Sequence, residues 1–102
     1  MYLIQLLLPL RDNNNQPFPQ AEFEFVRNHL TEYFGGVTAF LRSPGEGLWK
    51  ESDNDISHDD VVMFEVMAED LNTSWWAEYR QALQGQFRQE ELMIRALKVT
   101  KL

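Results

Sequence analysis

The chain contains no cysteine, which excludes disulfide bonds, thiolate catalysis and zinc sites built on cysteine, and which fits a cytoplasmic protein. Basic residues are also few, at 9 against 16 acidic ones, so the net charge is −7 with both histidines neutral. Such a charge repels phosphate backbones and anionic lipid surfaces. We therefore expect neither nucleic acid nor a membrane as a partner.

Long hydrophobic runs are absent except at residues 1–10. This segment has no basic residue before its apolar part and no small-residue cleavage site after it, so it does not match a secretory signal. It is also too short to span a bilayer. We interpret it as a β-strand that is buried on both faces.

The composition that remains is typical of a folded domain, with 44% hydrophobic and 25% charged residues in 102 positions. A chain of this size can bury one core and is too short to divide sensibly into two. We therefore expect residues 1–102 to form a single domain.

Hydrophobic periodicity and turn residues predict six elements along the chain. They are strands at 2–8, 37–42, 61–68 and 92–99, a helix at 19–34, and a second helix that one of residues 72–74 caps and whose apolar stripe ends at Phe87. The order β-α-β-β-α-β predicts an α+β protein of ferredoxin-like fold, with a four-stranded antiparallel sheet and two helices on one face.

Alternation along the strands assigns the apolar residues to two faces of this sheet. The face toward the helices is predicted to carry Ile4, Leu6, Leu8, Val62, Phe64, Val66, Ile94 and Ala96. The opposite face is predicted to carry Leu3, Leu7, Phe40, Met63, Met67, Met93 and Leu97. Because a sheet face left in water should alternate toward polar residues, we expect a second copy of the chain to cover it in a homodimer.

Four polar residues interrupt this apolar face, one from each strand: Gln5, Arg42, Glu65 and Arg95. They are candidate ligand-binding residues, because arginine offers a bidentate fork to a carboxylate-bearing small molecule. The alternative is structural, with Glu65 paired to Arg42 or Arg95 at a dimer interface or sheet edge. Trp49 could close over such a pocket or over a partner subunit.

An acidic cluster lies in the polar stretch between the second and third strands, at Asp53, Asp55, His58, Asp59 and Asp60. It lacks the glycine and the terminal glutamate of a calcium-binding EF-hand loop, so we interpret it as a solvated turn. We expect neither a metal nor a cofactor.

Several segments resemble small uncharacterised bacterial proteins of ferredoxin-like build. They are Tyr33-Phe34-Gly35-Gly36-Val37-Thr38, Trp49, Tyr79, Phe87 and Gln89-Glu90. The element order and the apolar sheet face are also similar to the dimeric α/β-barrel superfamily, which includes small monooxygenases, isomerases and stress-related proteins. Neither resemblance implies a particular catalytic residue.

Two function classes follow from these observations. The first is a non-enzymatic dimeric binding or regulatory module. The alternative is a small-molecule enzyme of the dimeric barrel type, monooxygenase- or isomerase-like, with Arg42, Glu65 and Arg95 around a cavity on the open sheet face. A filled interface would favour the module, and a lined cavity would favour the enzyme.

Overall fold

The computed structural model describes residues 1–42 and 60–102, which form four strands and two helices. The elements are β1 (Tyr2–Pro9), α1 (Gln20–Phe34), β2 (Thr38–Arg42), β3 (Val61–Ala68), α2 (Thr73–Gln86) and β4 (Met93–Lys98). The ends of α1 and of the four strands lie within one residue of their predicted positions, Asn72 is the cap of α2 among the three candidates, and the α+β class is confirmed. Neither α1 nor α2 has the length and apolar character that crossing a membrane requires.

Local chemistry accounts for the helix ends. The Asn72 side chain accepts a hydrogen bond from the Trp75 N–H at 3.0 Å, and it thereby caps the first turn of α2. Helix α1 stops at Gly35, whose φ of 84° lies in the left-handed region that glycine adopts without strain. The Gly35 N–H donates to the Thr31 carbonyl at 2.7 Å, so this turn also satisfies a carbonyl at the helix end.

The four strands form one antiparallel sheet in the order β2-β3-β1-β4. The most apolar strands, β1 and β3, are therefore central, and β2 and β4 are the edges. Gln5 pairs with Glu65 on one side and with Arg95 on the other. This register fixes which side chains share a row on each face of the sheet.

The core lies between the sheet and the helices, and its side chains come from both. The strands contribute Ile4, Leu6, Leu8, Phe64 and Val66, and the helices contribute Val26, Leu30, Trp76 and Leu83. These strand residues have one parity, so both helices cover the same face of the sheet. Leu6 and Phe64, which strand alternation assigned to the helix side, are buried as predicted, and Leu83 of α2 is buried against them.

The other side of the sheet is the open face, formed by Leu3, Gln5, Leu7, Phe40, Met63, Glu65, Met67, Met93, Arg95 and Leu97. Phe40, Met67, Met93 and Leu97 are 42%, 44%, 55% and 47% exposed. Met63 differs, since it is only 5% exposed. Its backbone lies between those of Phe40 and Leu7 in one cross-strand row, and its side chain is not part of the core cluster between the sheet and the helices.

Candidate functional site

Three of the predicted site residues form a hydrogen-bonded row across the middle of the open face. The Gln5 Nε2 donates to the Glu65 Oε2 at 2.7 Å, and the Arg95 Nε donates to the Gln5 Oε1 at 2.7 Å. We call Glu65, Gln5 and Arg95 the polar row. Because a carboxylate only accepts and a guanidinium only donates, a single orientation of the Gln5 amide satisfies both neighbours.

The Gln5 amide lies between the two charges of the row. Neighbouring strands lie about 4.8 Å apart, so the backbones of Glu65 and Arg95 are separated by roughly 10 Å across β1. Within the described residues, Glu65 therefore reaches Arg95 through Gln5 and forms no direct ion pair with it. Each of these hydrogen bonds has one charged partner. Such bonds are stronger than hydrogen bonds between two neutral groups.

The register separates the fourth polar residue from this row. Arg42 pairs with Val61, four positions along β3 from Glu65, so its backbone lies about 13 Å from the row along the strands. The residue of β2 that pairs with Glu65 is Thr38. Trp49 lies outside the described residues.

Apolar rows flank the polar row on both sides. One contains Met67, Leu3 and Leu97, and the other contains Phe40, Met63, Leu7 and Met93. Glu65 and Gln5 are half-buried, whereas Arg95 on the edge strand is exposed. The open face thus has one stripe of charge and hydrogen bonding across an otherwise apolar surface.

The acidic cluster between β2 and β3 lies almost entirely outside the described residues. Asp53, Asp55, His58 and Asp59 lie outside the described residues, and Asp60 immediately precedes β3. Within residues 1–42 and 60–102, no three histidine, aspartate or glutamate side chains lie together as a metal ion would require.

A groove of about 310 Å³ lies on the helix side of the sheet edge, between α2 and β4. Its apolar lining includes Ile4, Leu71, Trp76 and Ile94, and its polar lining includes Arg80 and Arg95. Arg95 therefore borders both this groove and the polar row. The sequence predicts the ligand site on the open face, and this groove lies on the other side of the sheet.

Sequence reasoning missed an aromatic cluster between the two helices. His29 falls off the apolar stripe of α1, a position that favours exposure, yet it is half-buried. Its ring centroid lies 5.0 Å from that of Tyr79 and 6.2 Å from that of Trp75. Together with Glu78, these residues line a cleft of about 230 Å³. The signal in the sequence was the four-residue spacing of His29 with Tyr33 and of Trp75 with Tyr79, which aligns aromatic rings on one face of each helix.

Burial in this cluster raises the pKa of Tyr79 to about 12 from its ordinary value of 10.0. The folded state therefore keeps the phenol protonated in a pH range where the unfolded state ionises. The stabilisation that the neutral Tyr79 phenol gives the folded state is fully present below about pH 10, and it is lost as the pH rises toward about 12. The free energy of unfolding should fall when the pH is raised from about 9 to about 11.5. We expect this fall to be smaller in Tyr79→Phe than in the wild type, because phenylalanine has no phenol to ionise.

Urea denaturation of the wild type and of Tyr79→Phe at both pH values measures this difference. Tyr33→Phe is the matched control, because Tyr33 is an exposed phenol on the neighbouring helix. An equal alkaline loss of stability in the wild type and in Tyr79→Phe would contradict the prediction.

Comparison with known proteins does not extend this description. No protein-family model matches the chain, and neither a curated protein nor a solved structure matches it.

Proposed function

We propose that the chain is a non-enzymatic domain that forms a homodimer through the open face and acts as a binding or regulatory module. The observation that carries this proposal is the exposure of Phe40, Met67, Met93 and Leu97, between 42% and 55%, on one side of the sheet. Several large apolar side chains exposed on one face of a sheet mark an interaction site.

The proposal includes a ferredoxin-like fold. The strand order β2-β3-β1-β4 and the packing of both helices on one face support that assignment. They also support the similarity to the dimeric α/β-barrel superfamily. This similarity concerns the fold alone and assigns no function. The lack of cysteine supports a cytoplasmic location.

A second copy of the chain is the occupant that best fits this surface. A chain with a net charge of −7 repels acidic partners and its own copies at long range. The polar row, however, carries one carboxylate and one guanidinium, so its own charge is balanced. Two open faces can therefore meet without concentrating charge of one sign, and the apolar rows on each side supply the burial.

The hydrogen bonds of the polar row support this structural role, because they hold Glu65, Gln5 and Arg95 together without a ligand. A small acid that bound Arg95 would meet a guanidinium whose Nε already donates to Gln5. The Glu65 carboxylate is likewise engaged by Gln5. In the enzyme alternative these groups would face a cavity, and an acidic ligand would bind the Nη donors of Arg95 that the polar row does not use.

Light scattering coupled to size exclusion tests the proposal. We expect a mass near twice the 12.0 kDa of one chain at micromolar concentration. Dilution should shift the mass toward that of one chain, because association depends on concentration. A mass of one chain at high micromolar concentration would overturn the homodimer.

A further inference from the structure

We infer that the two-fold axis of the dimer runs parallel to β1, so that Glu65 of each protomer faces Arg95 of its partner. This inference rests on the proposed function, since it specifies how two open faces meet. It follows from the order of charges in the polar row, which is negative, neutral and positive from β3 through β1 to β4.

Two sheets that pack face to face with nearly aligned strands have two choices of axis in the plane between them. An axis parallel to β1 keeps the strand direction and reverses the order of the strands. With this axis through Gln5, Glu65 lies over Arg95 of the partner, and Arg95 lies over Glu65 of the partner. Both charges then have an opposite charge directly across the interface.

The second choice is an axis along the polar row itself. It reverses the strand direction and keeps the order of the strands, so that Glu65 lies over the second Glu65 and Arg95 over the second Arg95. Like charges would then meet inside a contact that excludes water, where repulsion is least screened. The charge order therefore selects the first axis.

The apolar residues of β3, β1 and β4 meet apolar residues with either axis. Phe40 on the edge strand β2 lies beyond the overlap when the axis runs parallel to β1 through Gln5. An axis parallel to β1 places Met67 over Leu97 of the partner and Met63 over Met93 of the partner. Leu3 and Leu7 each lie over their own copy. The alternative axis places Leu3 over Leu7 of the partner. Since all these pairs are apolar, discrimination comes from the charges of the polar row.

The axis also explains how a charged row is tolerated in an interface. Within one protomer, Glu65 and Arg95 are each hydrogen-bonded to the neutral Gln5 amide. Burying such charges is unfavourable unless an opposite charge compensates them. The reciprocal contacts supply this compensation twice per dimer, and each amide keeps its two bonds.

Charge exchange tests the inference. We expect Glu65→Arg and Arg95→Glu each to weaken the homodimer at least about tenfold, because each places like charges across the interface twice. The double variant restores opposite charges, and its dissociation constant should return to within about threefold of the wild type. A half-turn of the Gln5 amide would then serve the exchanged neighbours.

Two variants on α2 are matched controls for the change in net charge. Glu78→Arg and Arg80→Glu introduce the same substitutions at exposed positions away from the open face, and each should leave the dissociation constant within about threefold of the wild type. A dimeric wild type whose double variant is as weak as the single ones overturns this inference and leaves the proposed function standing. A monomeric wild type overturns both.

Cross-linking gives a second readout that does not alter the charges. The chain has no cysteine, so Leu7→Cys introduces a unique thiol on β1. With the axis parallel to β1, its backbone lies about 10 Å from that of its own copy. With the alternative axis the separation is roughly 17 Å.

A short bis-maleimide that spans about 10 Å should therefore cross-link Leu7→Cys alone with high yield. The alternative axis predicts cross-linking only after Leu3→Cys and Leu7→Cys proteins are mixed. Efficient cross-linking restricted to the mixture overturns the inference.

Discussion

Replacing Phe64 with alanine is expected to lower the free energy of unfolding by about 3 to 5 kcal/mol. Phe64 is 2% exposed and lies in β3, between Leu6 of β1 and Ala39 of β2. Its ring is part of the core on which both helices pack. Removal of the ring loses this burial and leaves a cavity that a central strand cannot move to fill.

Urea denaturation followed by circular dichroism measures this loss at a fixed protein concentration, because dimerisation would make stability depend on concentration. Phe25→Ala is the matched control, since Phe25 is 65% exposed on α1, and we expect it to change stability by no more than about 0.5 kcal/mol. A loss below about 1 kcal/mol at Phe64 would contradict the assignment of that side chain to the core.

Replacing Met67 with glutamate is expected to convert the dimer to a monomer. Met67 is 44% exposed in the single chain, so a glutamate there remains in water as long as the chain is monomeric. In the dimer the same carboxylate would be desolvated opposite apolar residues, at a cost of several kcal/mol for each ion. Light scattering should give the mass of one chain at concentrations where the wild type is dimeric.

Phe25→Glu is the control for this variant, because it places the same charge at an exposed apolar position on a helix. It should remain dimeric. A dimeric Met67→Glu protein would show that the dimer uses another surface. Met63 would be a poorer choice of position, since its 5% exposure means that a glutamate there would damage the protomer itself.

The elements of this fold could be predicted because their ends carry strong local signals. Gly35 ends α1 through a backbone conformation that glycine favours, and Asn72 caps α2 with its own side chain. The face on which each strand residue lies could be predicted equally well, since side chains alternate between faces whatever the register. These signals lie within a few residues of the feature that they specify.

The candidate site was harder to predict from the sequence, because it depends on the register between strands that are distant in the chain. Gln5, Glu65 and Arg95 have the correct parity, but only the pairing of three strands shows that they are in one row. The same pairing places Thr38 beside Glu65, where the sequence had suggested Arg42. The half-buried position of His29 likewise depends on how the two helices approach each other.

The aromatic cluster makes two processes in this protein separately observable. Trp75 and Trp76 have ring centroids 4.7 Å apart at an interplanar angle of 84°, in contact with His29, Tyr79 and Phe34. Asymmetric contact between indoles gives near-ultraviolet circular dichroism and shifted fluorescence. Because the pair packs on the helix side of the sheet, its signal reports the docking of α1 and α2 and is insensitive to what covers the open face. In a Trp49→Phe variant, which removes the third tryptophan of the chain, folding can therefore be followed by light absorption and emission while association is followed by mass.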